Sequence, residues 1–95
     1  MPENDSFQAQ LQAGSDLPSD RKFYFNGYTI AMTPTDIEIV LQLNNKPVAT
    51  LNTSLTIAKM LAIVIDGFVK DYESKTGQRI LTLDELKASL SKRPQ

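Results

Sequence analysis

The stretch that decides the fold is Ser54-Leu55-Thr56-Ile57-Ala58-Lys59-Met60-Leu61-Ala62-Ile63-Val64-Ile65-Asp66-Gly67-Phe68, continuing through Tyr72 to Thr76. Good helix formers open it, and Ile57, Leu61, Val64 or Ile65, Phe68 and Tyr72 recur at helical spacing. Asp66 and Lys70 form a favourable pair four apart. A strand over Leu61 to Ile65, ending at Asp66-Gly67, is the rival reading of the β-branched middle. We read a helix over 54–76, with Thr53 or Ser54 as its N-terminal cap and Gly77 as its left-handed stop. Its middle is apolar on more than one side, and such a helix must be covered on more than one side. One small sheet covers only one of them, so the pattern predicts an oligomer. Ile57, Met60, Leu61, Val64, Ile65 and Phe68 are the expected core or oligomer interface.

Upstream of the helix the pattern switches to strands. Phe23, Tyr24, Phe25, Tyr28 and Ile30 suit a pleated surface, predicting a strand over 21–32 with Tyr24, Tyr28 and Ile30 on one face. Tyr24 and Tyr28 are the candidate partner surface. Asn26-Gly27 inside that run fits either a tight turn or a bulge. Thr33-Pro34-Thr35 breaks the ladder. In the next run Ile37, Ile39, Leu41 and Leu43 alternate with Asp36, Glu38, Gln42 and Asn44, the mark of an amphipathic strand. Asn44-Asn45-Lys46-Pro47 reads as a turn, and 48–52 as a third strand. At the other end, Thr82-Leu83-Asp84-Glu85 fits a capping box, with Leu81 and Leu86 at the flanking staple positions and Pro94 as the stop.

The expected architecture is therefore α+β: a three-stranded antiparallel meander packed on one long helix, with a short C-terminal helix, forming a homodimer or higher oligomer. Its organisation is a polar, disordered N-terminal tail at 1–20, a strand-strand-strand-helix core at 21–80, and a capped helix and tail at 81–95. In the tail only Phe7, Leu11 and Leu17 are large and apolar, which is too little burial to offset the entropy of ordering. The lesser alternative there is a short helix around 7–13 that docks on a partner.

Composition excludes more chemistry than it indicates. The 95 residues contain no Cys and no His. A Ser-His-Asp or Cys-His nucleophile is thereby ruled out, as is zinc held by His or Cys. The four glycines are too scattered to form a phosphate loop. Asp36 with Glu38 reads as a solvated strand face, and Asp84 with Glu85 as helix capping. Asp66, where the apolar stretch meets Gly67, is the one carboxylate placed for a raised pKa, and its pairing with Lys70 is the simpler account. No catalytic, cofactor-binding or metal-binding residue is therefore expected, no cofactor, and no enzyme. Ten basic and eleven acidic side chains leave a formal charge of −1, too small a field to gather nucleic acid. The N-terminus is acidic and polar with no apolar stretch behind it, so the expectation is a cytoplasmic protein without a membrane span.

Thr33-Pro34 before the amphipathic strand, Ala58-Lys59-Met60-Leu61 in the helix, and Tyr72-Glu73 with Gly77 resemble short bacterial proteins of domain-of-unknown-function family 3467. The resemblance covers about residues 23–80. The third strand and helix start, 48–54, depart from the Pro-rich form of that family. It implies a fold and an oligomer, names no activity, and carries over no functional residue. The function read from all this is a small non-catalytic protein-interaction module of bacterial or phage origin, with a protein partner. The alternative is a small nucleic-acid-binding regulator, marked by salt-dependent binding.

Overall fold

A computed structural model describes residues 3–91. The chain divides after Ser54 into two compact units. The first holds a helix, α1 (Glu3–Ser15), a single 3-10 turn at Ser19–Arg21, and three strands: β1 (Gly27–Met32), β2 (Asp36–Leu43) and β3 (Lys46–Ser54). The second holds α2 (Leu55–Thr76) and α3 (Leu83–Ser91). The predicted three-stranded antiparallel sheet, long helix and short C-terminal helix are all present, with strand order β1-β2-β3.

The meander is held by two different hairpin devices. Between β1 and β2 the Thr33 hydroxyl accepts from the backbone N–H groups of Thr35 and Asp36 (3.3 and 2.9 Å), a side-chain substitute for the turn bond. Between β2 and β3, Asn44 and Asn45 both take positive φ (53° and 70°), the geometry of a two-residue hairpin whose twist matches the strands it joins. Asparagine tolerates that region better than most side chains because its amide bonds locally. The register slips once, between Leu41↔Ala49 and Gln42↔Pro47, leaving Val48 as a bulge that accommodates Pro47.

Three expectations for this unit need correction. The second turn is Asn44-Asn45 alone, so Lys46 and Pro47 already pair with Leu43 and Gln42 and β3 runs over Lys46–Ser54 rather than 48–52. Strand β1 starts at Gly27 rather than at residue 21, so Phe23, Tyr24 and Phe25 lie outside the sheet. The reason is the length of the neighbour: Gly27 pairs with Gln42, and one step beyond Leu43 the chain turns at Asn44-Asn45, so Phe25 has no residue to pair with. Asn26 closes the ladder there, donating from Nδ2 to Asn44 Oδ1 (3.0 Å) and accepting from the Asn44 N–H (2.9 Å). The segment read as a disordered tail is helical from Glu3 to Ser15. Gln8, Ala9, Gln10, Leu11, Gln12 and Ala13 form a helix by local propensity, and every residue from Ser6 to Arg21 is exposed, so no burial is involved.

In the second unit α2 ends as its sequence requires. Gly77 takes φ +71° and donates its N–H to Glu73 C=O (2.9 Å), while the Thr76 hydroxyl donates to Tyr72 C=O (2.8 Å). The predicted Asp66–Lys70 pair forms at 2.8 Å, and a second i,i+4 pair joins Asp71 and Lys75 at 3.0 Å. Helical geometry refines one expectation. Positions 59, 66, 70 and 73 fall on one stripe, so Lys59, Asp66, Lys70 and Glu73 form a narrow polar side. The apolar arc covers most of the rest. Helix α3 begins with the expected reciprocal box: the Glu85 N–H donates to Thr82 Oγ1 (3.2 Å) and the Thr82 N–H to Glu85 Oε1 (3.1 Å).

Candidate functional site

Pleating sorts the sheet into two faces. Tyr28, Ile30 and Met32 of β1 lie opposite Leu41, Ile39 and Ile37 of β2. Those in turn lie opposite Ala49, Leu51 and Thr53 of β3, so one face is apolar almost throughout. Thr29, Glu38, Gln42, Thr50 and Asn52 point to the other side. Leu41, at 7% exposure, is the one buried apolar side chain among the described residues. Around it the apolar face opens toward β1, where Tyr28 is 67%, Ile30 49% and Met32 68% exposed.

The two tyrosines expected to share a surface are separated by the strand boundary. Tyr28 belongs to the apolar face; Tyr24, at 78% exposure, sits in the irregular segment ahead of β1. Sequence reasoning missed Met32 and Leu51 as members of this face. The signal was present as period-2 alternation, Met32 following Ile30 in β1 and Leu51 following Ala49 in β3.

Helix α2 presents the second surface. The six expected interface residues, Ile57, Met60, Leu61, Val64, Ile65 and Phe68, are between 50% and 69% exposed. Soluble chains rarely leave a contiguous apolar area of this extent open, and such areas mark interaction surfaces.

Several ionisable groups of α2 and α3 are committed to structural tasks. Asp66 is spent on Lys70, both side chains well exposed, and that hydrogen bond raises the pKa of Lys70. The Glu85 carboxyl is held below its ordinary value, chiefly by the Thr82 backbone N–H it accepts and then by the Thr82 hydroxyl. Arg79 also pairs with Glu85. An open hollow of about 450 Å³ lies beside Glu73, Ser74, Gly77, Gln78 and Arg79. Its two charges are already used, since Glu73 Oε2 accepts from the Ile80 N–H (2.8 Å) and Arg79 holds Glu85. Among the described residues no three His, Cys, Asp or Glu converge on a metal position. No helix among them is long and apolar enough to cross a membrane. No family model, curated protein or solved structure matches the chain, so the resemblance to domain-of-unknown-function family 3467 rests on the motifs that carry it.

Proposed function

We propose that this chain is a small non-catalytic, oligomeric protein-interaction module, cytoplasmic and of bacterial or phage origin. The observation that carries the reading is the openness of α2. Complete burial of one large aliphatic or aromatic side chain is worth about 1.5–3 kcal/mol, so six left half open forgo roughly 5–10 kcal/mol. That rivals the whole stability of a typical domain, about 5–15 kcal/mol. Association supplies the missing burial, with a second copy or a protein partner on the apolar surfaces.

The regulator alternative loses support from the ion pairs. Lys70, Lys75 and Arg79 are each held by a carboxylate of the same chain, which takes three of the ten basic side chains away from phosphate contact. Dilution tests the reading. The thermal midpoint of the full chain should fall as its concentration is lowered, and Val64→Asp, which places a charge on the apolar surface of α2, should weaken that dependence. A midpoint that does not move over a hundredfold dilution, with a monomer in sedimentation throughout, refutes the oligomer.

A further inference from the structure

Strands β1 and β3 are the two edges of the sheet, and the chain treats them differently. An edge displays unpaired N–H and C=O groups, and natural sheets blunt such edges with lysine, proline and bulges. Strand β3 has all three, in Lys46, Pro47 and the bulge at Val48. Strand β1 has none of them. No charged residue occurs from Phe23 to Thr35, so nothing along this edge repels an incoming strand.

The hydrogen-bond phase identifies what β1 offers. The Thr33 N–H donates to Asp36 C=O (2.9 Å), making Thr33 and Asp36 a hydrogen-bonded pair. Alternation then turns the backbone groups of Ala31 and Thr29 toward β2, and those of Met32, Ile30 and Tyr28 toward the open edge. The side chains of these three also stand exposed on the apolar face, as does Leu51 of β3. Backbone pairing and apolar contact are thus available on the same residues.

The pattern is self-complementary. Tyr28-Thr29-Ile30-Ala31-Met32 alternates large and small symmetrically about Ile30. An antiparallel second copy, with its two-fold axis at Ile30, sets Ile30 against Ile30 and Tyr28 against Met32, an aromatic–thioether contact. An unrelated strand has no need of that symmetry. We infer that the β1 edge is the homodimer seam, joining two sheets into one that runs through both copies. This rests on the oligomeric reading above and adds the β1 edge to the apolar side of α2 as an associating surface.

The absence of native cysteine makes the seam directly testable by cross-linking. Paired strands bring opposed Cα atoms to about 5.5 Å, within disulfide reach. Purified full-length Ile30→Cys should oxidise to a covalent dimer at least tenfold faster than Thr50→Cys, whose backbone faces the opposite edge. Ile30→Lys, which opposes two like charges at the axis, should weaken dimerisation at least tenfold in sedimentation with unchanged far-ultraviolet dichroism. If the protein sediments as an oligomer but residue 30 cross-links no faster than residue 50, the β1 seam is wrong and the oligomeric reading stands. A monomer at every concentration overturns both.

Discussion

Replacing Gly67 by alanine tests the environment of α2 with a single methyl group. Glycine in a helix interior is about 1 kcal/mol less favourable than alanine, because it loses more backbone freedom on folding. A Cβ built at Gly67 meets no atom within 4 Å, so no steric penalty offsets that gain. Gly67→Ala should therefore stabilise the full chain by roughly 0.5–1 kcal/mol, raising the thermal midpoint about 4–8 °C per kcal/mol for a domain of this size. Urea unfolding followed at 222 nm, at one fixed protein concentration, measures it as a higher midpoint with an unchanged slope. Gly77→Ala is the internal comparison. It too has open space around it, but its φ of +71° is strained for any residue with a Cβ, so it should destabilise by about 1–2 kcal/mol. Opposite signs at two glycines with equally open surroundings would show that backbone geometry decides both. If Gly67→Ala destabilises, helix propensity and open space do not decide stability at this position, as would follow if an associating chain packed closely against it.

The α3 cap makes a second expectation. Thr82→Ala removes the acceptor for the Glu85 N–H and should cost α3 about 1 kcal/mol, visible as lost helicity at residues 83–91 by NMR chemical shifts. Glu85 also sets a pH dependence. Because its folded pKa lies below the unfolded value, its contribution is full above the ordinary carboxylate range and is lost as pH falls through the depressed value. Acid titration of the wild type should therefore loosen α3, and Glu85→Gln should flatten that response. At the second hairpin, Asn45→Ala puts an unfavourable side chain at φ 70° and should cost about 1 kcal/mol, whereas Asn45→Gly should be neutral or stabilising in the same urea assay.

What could be read from the sequence was what short-range chemistry determines. The alternation of Ile37, Ile39 and Leu41, the Thr82–Glu85 box and the Gly77 stop each involve residues a few positions apart, and each appears in the structure. The start of β1 was not legible because it depends on a residue far along the chain. Aromatic propensity favours a strand at Phe23 to Phe25, but the Asn44-Asn45 turn ends the neighbouring ladder and leaves them nothing to pair with. Helix α1 was read only as the lesser alternative, over 7–13, for the opposite reason: the scarcity of apolar residues was weighed above local propensity. The candidate surfaces were half legible. Periodicity shows that Leu61, Val64 and Phe68 are apolar neighbours, yet no periodicity distinguishes a covered apolar stripe from an open one.

Leu41 stands as the one buried apolar side chain among the described residues, and this bears on how long the protein survives in a cell. A chain stabilised mainly from within has a lifetime set by its own sequence. Where the stabilising contacts come from association, each tenfold rise in the concentration of free partner adds about 1.4 kcal/mol to the folded state. Abundance then controls lifetime: newly made chains at low copy number are accessible to proteases, and chains above the association threshold are protected. On the proposed oligomeric reading, expression level thereby becomes a determinant of turnover.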